Sequence, residues 1–128
     1  MFKTDKEFLK ENNIGLCLFE EQLWKRDGFY IPGIRTIFIK NNLTDDDKHK
    51  VLLHELGHIH HDPIKYQRLL LQYENQADRF MVKRLIEEEL TQYEPSDFNW
   101  LQFANRHKIS TSWGQEMIQE EFKNIVGI

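Results

Sequence analysis

The sequence predicts an α+β fold: a mostly helical single domain with a small antiparallel sheet packed on one central helix. Three observations point to it. Short runs of β-branched and aromatic residues, Ile14–Phe19, Phe29–Ile31 and Thr36–Ile39, crowd the first third of the chain and are bounded by turn residues, the pattern of strands. From Thr44 onward apolar residues recur at helical spacing instead. Between these segments stand Pro-Gly, Asn-Asn and Asp-Pro pairs, which punctuate rather than continue regular structure.

Taken in order, Thr4–Glu11 is a short helix whose apolar contacts are Phe8 and Leu9. Ile14–Phe19 is a strand. Phe29–Ile31, the turn pair Pro32-Gly33 and Thr36–Ile39 form a hairpin. Its second strand has Ile37 and Ile39 on one face and Thr36, Phe38 and Lys40 on the other. Thr44-Asp45-Asp46-Asp47 is a capping box whose acids favour the positive end of a helix. That helix runs through Lys50–His61 and stops at Asp62-Pro63. A third helix, from about Tyr66 to Glu89, carries a broad apolar stripe that includes Leu70, Ala77, Met81 and Leu85. After Pro95, Ser96 and Asp97 cap a helix over Phe98–Arg106, and Ser110 or Ser112 caps a last one, Trp113–Val126. The expected organisation is one domain over 1–128, with a core of about 14–92 and a C-terminal helical segment of about 96–126.

Composition narrows the function classes. Of 128 residues, 40% are hydrophobic and 30% charged, ordinary for a soluble globular chain. A net charge of −4 without a basic cluster argues against binding nucleic acid through its phosphates. The last two helices have a helix-turn-helix rhythm, yet Glu116, Glu120 and Glu121 in the second would repel DNA. The start lacks the apolar stretch of a signal peptide, and no run reaches membrane-spanning length. The lone Cys17 can form no internal disulfide, which fits the cytoplasm, and its apolar surroundings predict a buried structural thiol.

The chemistry concentrates in K-V-L-L-H-E-L-G-H-I-H-H, Lys50–His61, which contains H-E-x-x-H as His54, Glu55 and His58. Residues four apart on a helix share a face, so the two imidazoles can reach one point. Two imidazoles suit zinc, which in catalytic sites takes three protein ligands and leaves one position for water. Glu55 projects close by, where a carboxylate can take a proton from that water. Leu52, Leu56 and Ile59 lie opposite, against the core. Gly57, costly inside a helix, makes sense where a neighbouring backbone or a substrate passes close.

A third ligand must come from elsewhere. The pattern H-E-x-x-H-x-x-G-x-x-H needs Gly and His at positions 61 and 64, which here are His61 and Ile64. His61 itself falls near the metal face only if the helix continues that far. Glu74-Asn75-Gln76-Ala77-Asp78 offers two carboxylates one turn apart beside the small Ala77. Glu74 can complete a His₂Glu set, and Asp78 can take the hydrogen bond from the far ring nitrogen of a ligand histidine. Fifteen residues separate His58 from Glu74, room for a turn and an antiparallel return.

With these residues in place, the chain resembles the ImmA/IrrE metallopeptidases, gluzincin-like proteins of bacteria, phages and mobile elements. The resemblance rests on T-I-F-I-K (Thr36–Lys40), V-L-L-H-E-L-G-H (Val51–His58), Y-E-N-Q-A-D-R-F-M-V-K-R-L-I (Tyr73–Ile86) and, more weakly, F-A-N-R-H-K-I-S (Phe103–Ser110). It implies a minimal gluzincin-like fold, His54, His58 and Glu74 as zinc ligands, Glu55 as the base and Asp78 as the acidic residue behind a ligand. It also implies a protein substrate, a helix-turn-helix transcriptional repressor, whose cleavage releases genes of a phage or mobile element. The Met-Pro usual after the second motif helix is replaced here by Glu-Glu-Glu-Leu.

The expected reaction is therefore zinc-dependent peptide-bond hydrolysis. The tetrahedral oxyanion needs a further donor besides the metal, for which Tyr66, Tyr73, Tyr93 and His107 are candidates. Thr36–Ile39 is a candidate edge for an extended substrate. The competing function is a zinc-stabilised anti-repressor that binds a regulator without cutting it. Glu55 favours the enzyme, since a purely structural metal has no use for a base.

Overall fold

The computed structural model describes residues 1–127. The fold is α+β, with five α-helices and one three-stranded sheet among the described residues. It comprises two compact units, Met1–Ala77 and Asp78–Ile128.

In the first unit, helix α1 (Lys3–Glu11) leads through a left-handed Asn13 into strand β1 (Gly15–Phe19). An irregular segment, 20–27, then reaches β2 (Gly28–Ile31). A 3₁₀ turn at Pro32–Ile34 and a left-handed Arg35 reverse the chain into β3 (Thr36–Lys40). The β2–β3 pair is the expected hairpin, with Gly28 opposite Ile39 and Ile31 opposite Thr36. The sheet as a whole is mixed, not antiparallel: β1 runs parallel to β3, from Gly15 opposite Thr36 to Phe19 opposite Lys40. The order is β1-β3-β2, because the segment after β1 carries the chain past the sheet's centre before the hairpin folds back into it. Thus β3 is the central strand, bonded on both sides, and cannot be an open edge for a substrate.

Burial follows the predicted alternation on β3. Ile37 and Ile39 are fully enclosed, while Phe38 stacks on Phe29 at 4.8 Å on the other face. Cys17 is exposed rather than buried. It belongs to an outer strand with only one neighbour, so its apolar surroundings in sequence do not become a packed shell in space.

Helix α2 (Asp45–Leu56) starts where its cap predicts: the Thr44 hydroxyl oxygen accepts from the Asp47 amide at 3.1 Å. It rests on β2 and β3, and its Leu52, Leu53 and Leu56 are buried. Gly28 permits this approach, because a Cβ there would strike the Val51 side chain and the Phe38 carbonyl. The helix ends at Leu56, earlier than Asp62-Pro63 suggested, and turns occupy the stretch up to α3 (Leu70–Glu89).

In the second unit the later turns of α3 bury Met81, Val82, Leu85 and Ile86. Helix α4 (Trp100–Arg106) is capped by Asn99 rather than by Ser96 or Asp97, which belong to a 3₁₀ turn, Pro95–Asp97. Helix α5 (Thr111–Val126) is capped by Ser110. Arg79 ties α3 to α5 through Glu120 at 2.7 Å and Glu121 at 3.1 Å. No described helix is long and apolar enough to cross a membrane.

Candidate metal centre

His54 stands on the last turn of α2, and His58 just past the helix end. The chain stays tightly wound there, with the His58 amide donating to the Glu55 carbonyl at 3.0 Å, so both imidazoles remain on one side. Gly57 lies between them with an ordinary right-handed conformation. Its missing Cβ is what matters. A methyl group there would sit 2.7 Å from the Ala77 Cα, so glycine lets α3 cross closely enough for Glu74, one turn before Ala77, to meet the histidines.

The meeting is tight. His54 Nε2 lies 3.1 Å from Glu74 Oε2 and 3.3 Å from His58 Nε2, and His58 Nε2 lies 3.2 Å from Glu74 Oε1. Ligands about 2.0–2.1 Å from a tetrahedral zinc are separated from one another by about 3.3 Å. The two imidazole nitrogens have the spacing of two corners of such a tetrahedron, and each meets one oxygen of the Glu74 carboxylate. One ligand atom from each of the three residues lies within 4.8 Å of the others, and the donor set fits a divalent ion. The two imidazoles hold the Glu74 carboxyl well below the usual carboxylate range, against a partial burial that opposes this.

Glu55 is only 3% exposed, and burial pushes its carboxyl above the ordinary value despite the nearby imidazoles. It faces a cavity of about 300 Å³. One wall comes from β2 and its turn (Phe29, Tyr30, Pro32) with Arg26. Glu55, His58, His61, Pro63 and Tyr66 complete the lining. The cavity is at the small end of ligand-binding clefts. A carboxylate whose affinity for protons is raised by burial, beside the two imidazoles and a cavity, can accept a proton from water and return it.

The remaining candidates are distributed as follows. The Tyr66 hydroxyl donates to Glu74 Oε1 at 2.5 Å, and burial together with that carboxylate pushes the phenol up to about 12. Tyr73 is buried and stacks on the His61 ring at 4.0 Å. His61 lies on the far side of His58, with its Nδ1 3.0 Å from His58 Nδ1 and its Nε2 2.8 Å from Gln76 Oε1. Asp78 is half-buried one turn beyond Glu74, at the start of the second unit. Also in that unit, Tyr93 is largely exposed and His107 is hydrogen-bonded to Glu89 at 3.1 Å.

Sequence reasoning missed Arg26, Tyr30 and Gln76. Arg26 lies in the irregular segment before β2, where no periodicity assigns a direction. Tyr30 read only as a strand residue. Gln76 gives no signal until the turn carrying His61 is known.

A family model described as the IrrE N-terminal-like domain, a peptidase family, matches residues 10–119, and the chain belongs to that family. No curated protein matches it.

Proposed function

We propose that this member of the family is a zinc-dependent endopeptidase. The observation that carries the reading is the convergence of His54 Nε2, His58 Nε2 and the Glu74 carboxylate at distances of 3.1–3.3 Å, with Glu55 and His58 lining one cavity. Zinc held by such a set acidifies water and polarises a carbonyl. Glu55 accepts the water's proton and delivers it to the leaving amine, a double duty suited to a carboxyl whose affinity for protons is raised. Of the four candidate oxyanion donors, Tyr66 lines the cavity, and its hydroxyl is the one we assign.

The substrate strand adds to the free edge of β2 rather than to β3. β2 is an outer strand, and its Phe29 and Tyr30 lie on the cavity wall. An extended peptide there gains main-chain hydrogen bonds while one side chain enters the cavity. The family resemblance supports a helix-turn-helix repressor as the protein cut. It also supports Asp78 as the acidic residue that steadies a ligand histidine.

The test is incubation of candidate repressors with the wild type and Glu55→Gln, each loaded with zinc. Cleavage by the wild type alone supports the peptidase. Equal inactivation of an uncut repressor by both proteins would replace it with sequestration.

A further inference from the structure

The contacts behind His58 form a chain that the reaction itself does not use. His58 Nδ1 and His61 Nδ1 lie 3.0 Å apart, and a hydrogen bond between two ring nitrogens holds one proton. Which ring owns it is decided at the other end. His61 Nε2 faces Gln76 Oε1 at 2.8 Å, and a carbonyl oxygen only accepts. His61 therefore carries its proton on Nε2 and offers a lone pair at Nδ1. The shared proton belongs to His58 Nδ1, which leaves the lone pair of His58 on Nε2. That nitrogen is the one in the metal centre.

The reverse arrangement is instructive. Were the Gln76 amide turned, its NH₂ would donate to His61 Nε2, the His61 proton would move to Nδ1, and His58 would be protonated at Nε2. That tautomer has no lone pair for a metal. His61 is also held in orientation, because its ring lies parallel to Tyr73 within 3°.

We propose that His61 and Gln76 are positioning residues that fix His58 in its metal-binding tautomer, with Tyr73 as the platform for the His61 ring. The inference rests on the metal-centre reading. Carboxylates and carbonyls commonly back a ligand histidine; here a second imidazole does so, oriented in turn by a side-chain amide.

Zinc affinity by chelator competition tests this without reference to catalysis, on wild type, His61→Phe, His61→Asn, Gln76→Leu, Gln76→Glu and Glu74→Ala. His61→Phe keeps the stack on Tyr73 but removes the acceptor, and should weaken zinc by about tenfold to a hundredfold. His61→Asn restores an acceptor near Nδ1 and should recover most of that loss. Gln76→Leu should weaken zinc severalfold, whereas Gln76→Glu, an acceptor only, should bind as tightly as wild type or tighter. In proton–nitrogen NMR of the zinc-loaded protein, the His58 Nδ1–H signal should be protected from exchange and lose that protection in His61→Phe. Should His61→Phe fail to fold, the exposed Gln76 pair decides alone, with Gln76→Leu equal to wild type counting against the proposal. Wild-type affinity in His61→Phe alongside zinc loss in Glu74→Ala would overturn the relay and leave the metal centre standing. Wild-type affinity in both would overturn the two together.

Discussion

Glu74 and Glu89 sit on the same helix, and each is gripped by three side-chain donors, yet the two clusters are built differently. Glu89 accepts from Arg106 at 2.9 and 2.7 Å and from His107 at 3.1 Å. Its countercharge is a guanidinium, permanently cationic and bidentate. Glu74 meets His54, His58 and Tyr66, none of which carries a fixed charge. The first cluster is complete as the sequence makes it. The second gathers a carboxylate and two imidazoles with no permanent cation among these contacts, the donor set of a divalent ion.

Mutations can break or sharpen this contrast. The largest effect is expected from His58→Ala, which removes a proposed ligand and should abolish stoichiometric zinc binding in metal analysis. Next, Glu55→Gln should retain zinc while losing about 10²–10⁴-fold in cleavage rate, the usual scale of a lost acid–base group. Glu74→Ala should weaken zinc by at least about tenfold in chelator competition. Full zinc occupancy in that variant would reassign the third ligand. Gly57→Ala forces a methyl group against the Ala77 backbone. It should cost about 1–3 kcal/mol of stability, as overpacking does, and loosen zinc by shifting Glu74. The smallest effect is expected from Glu89→Ala: about 1 kcal/mol in denaturant unfolding, since Arg106 is half exposed, with unchanged zinc affinity.

The same contrast marks what could be read from the chain. The shared side of His54 and His58 was legible because helical spacing is arithmetic, and the Thr44 cap fixed where that helix begins. Glu74 was legible as a carboxylate one turn before the small Ala77, on an otherwise apolar stripe. Gly57 showed that something passes close, though not that it would be the Ala77 backbone. The order of the strands was hidden, because runs of four or five residues specify a strand without specifying its neighbour. For that reason the parallel pairing of β1, the central place of β3 and the exposure of Cys17 went against expectation. Gln76 and His61 were invisible as a pair, since their meeting depends on the turns between α2 and α3, where no period applies.

The most direct measurement is X-ray absorption at the zinc edge on the wild type and Glu74→Ala. The wild type should bind one zinc per chain in a shell of nitrogen and oxygen at about 2.0–2.1 Å, with the outer-shell scattering of two imidazoles. Glu74→Ala should lose the protein oxygen from that shell. An unchanged zinc spectrum in Glu74→Ala, or no stoichiometric zinc in the wild type, would contradict the convergence of these three side chains on one ion.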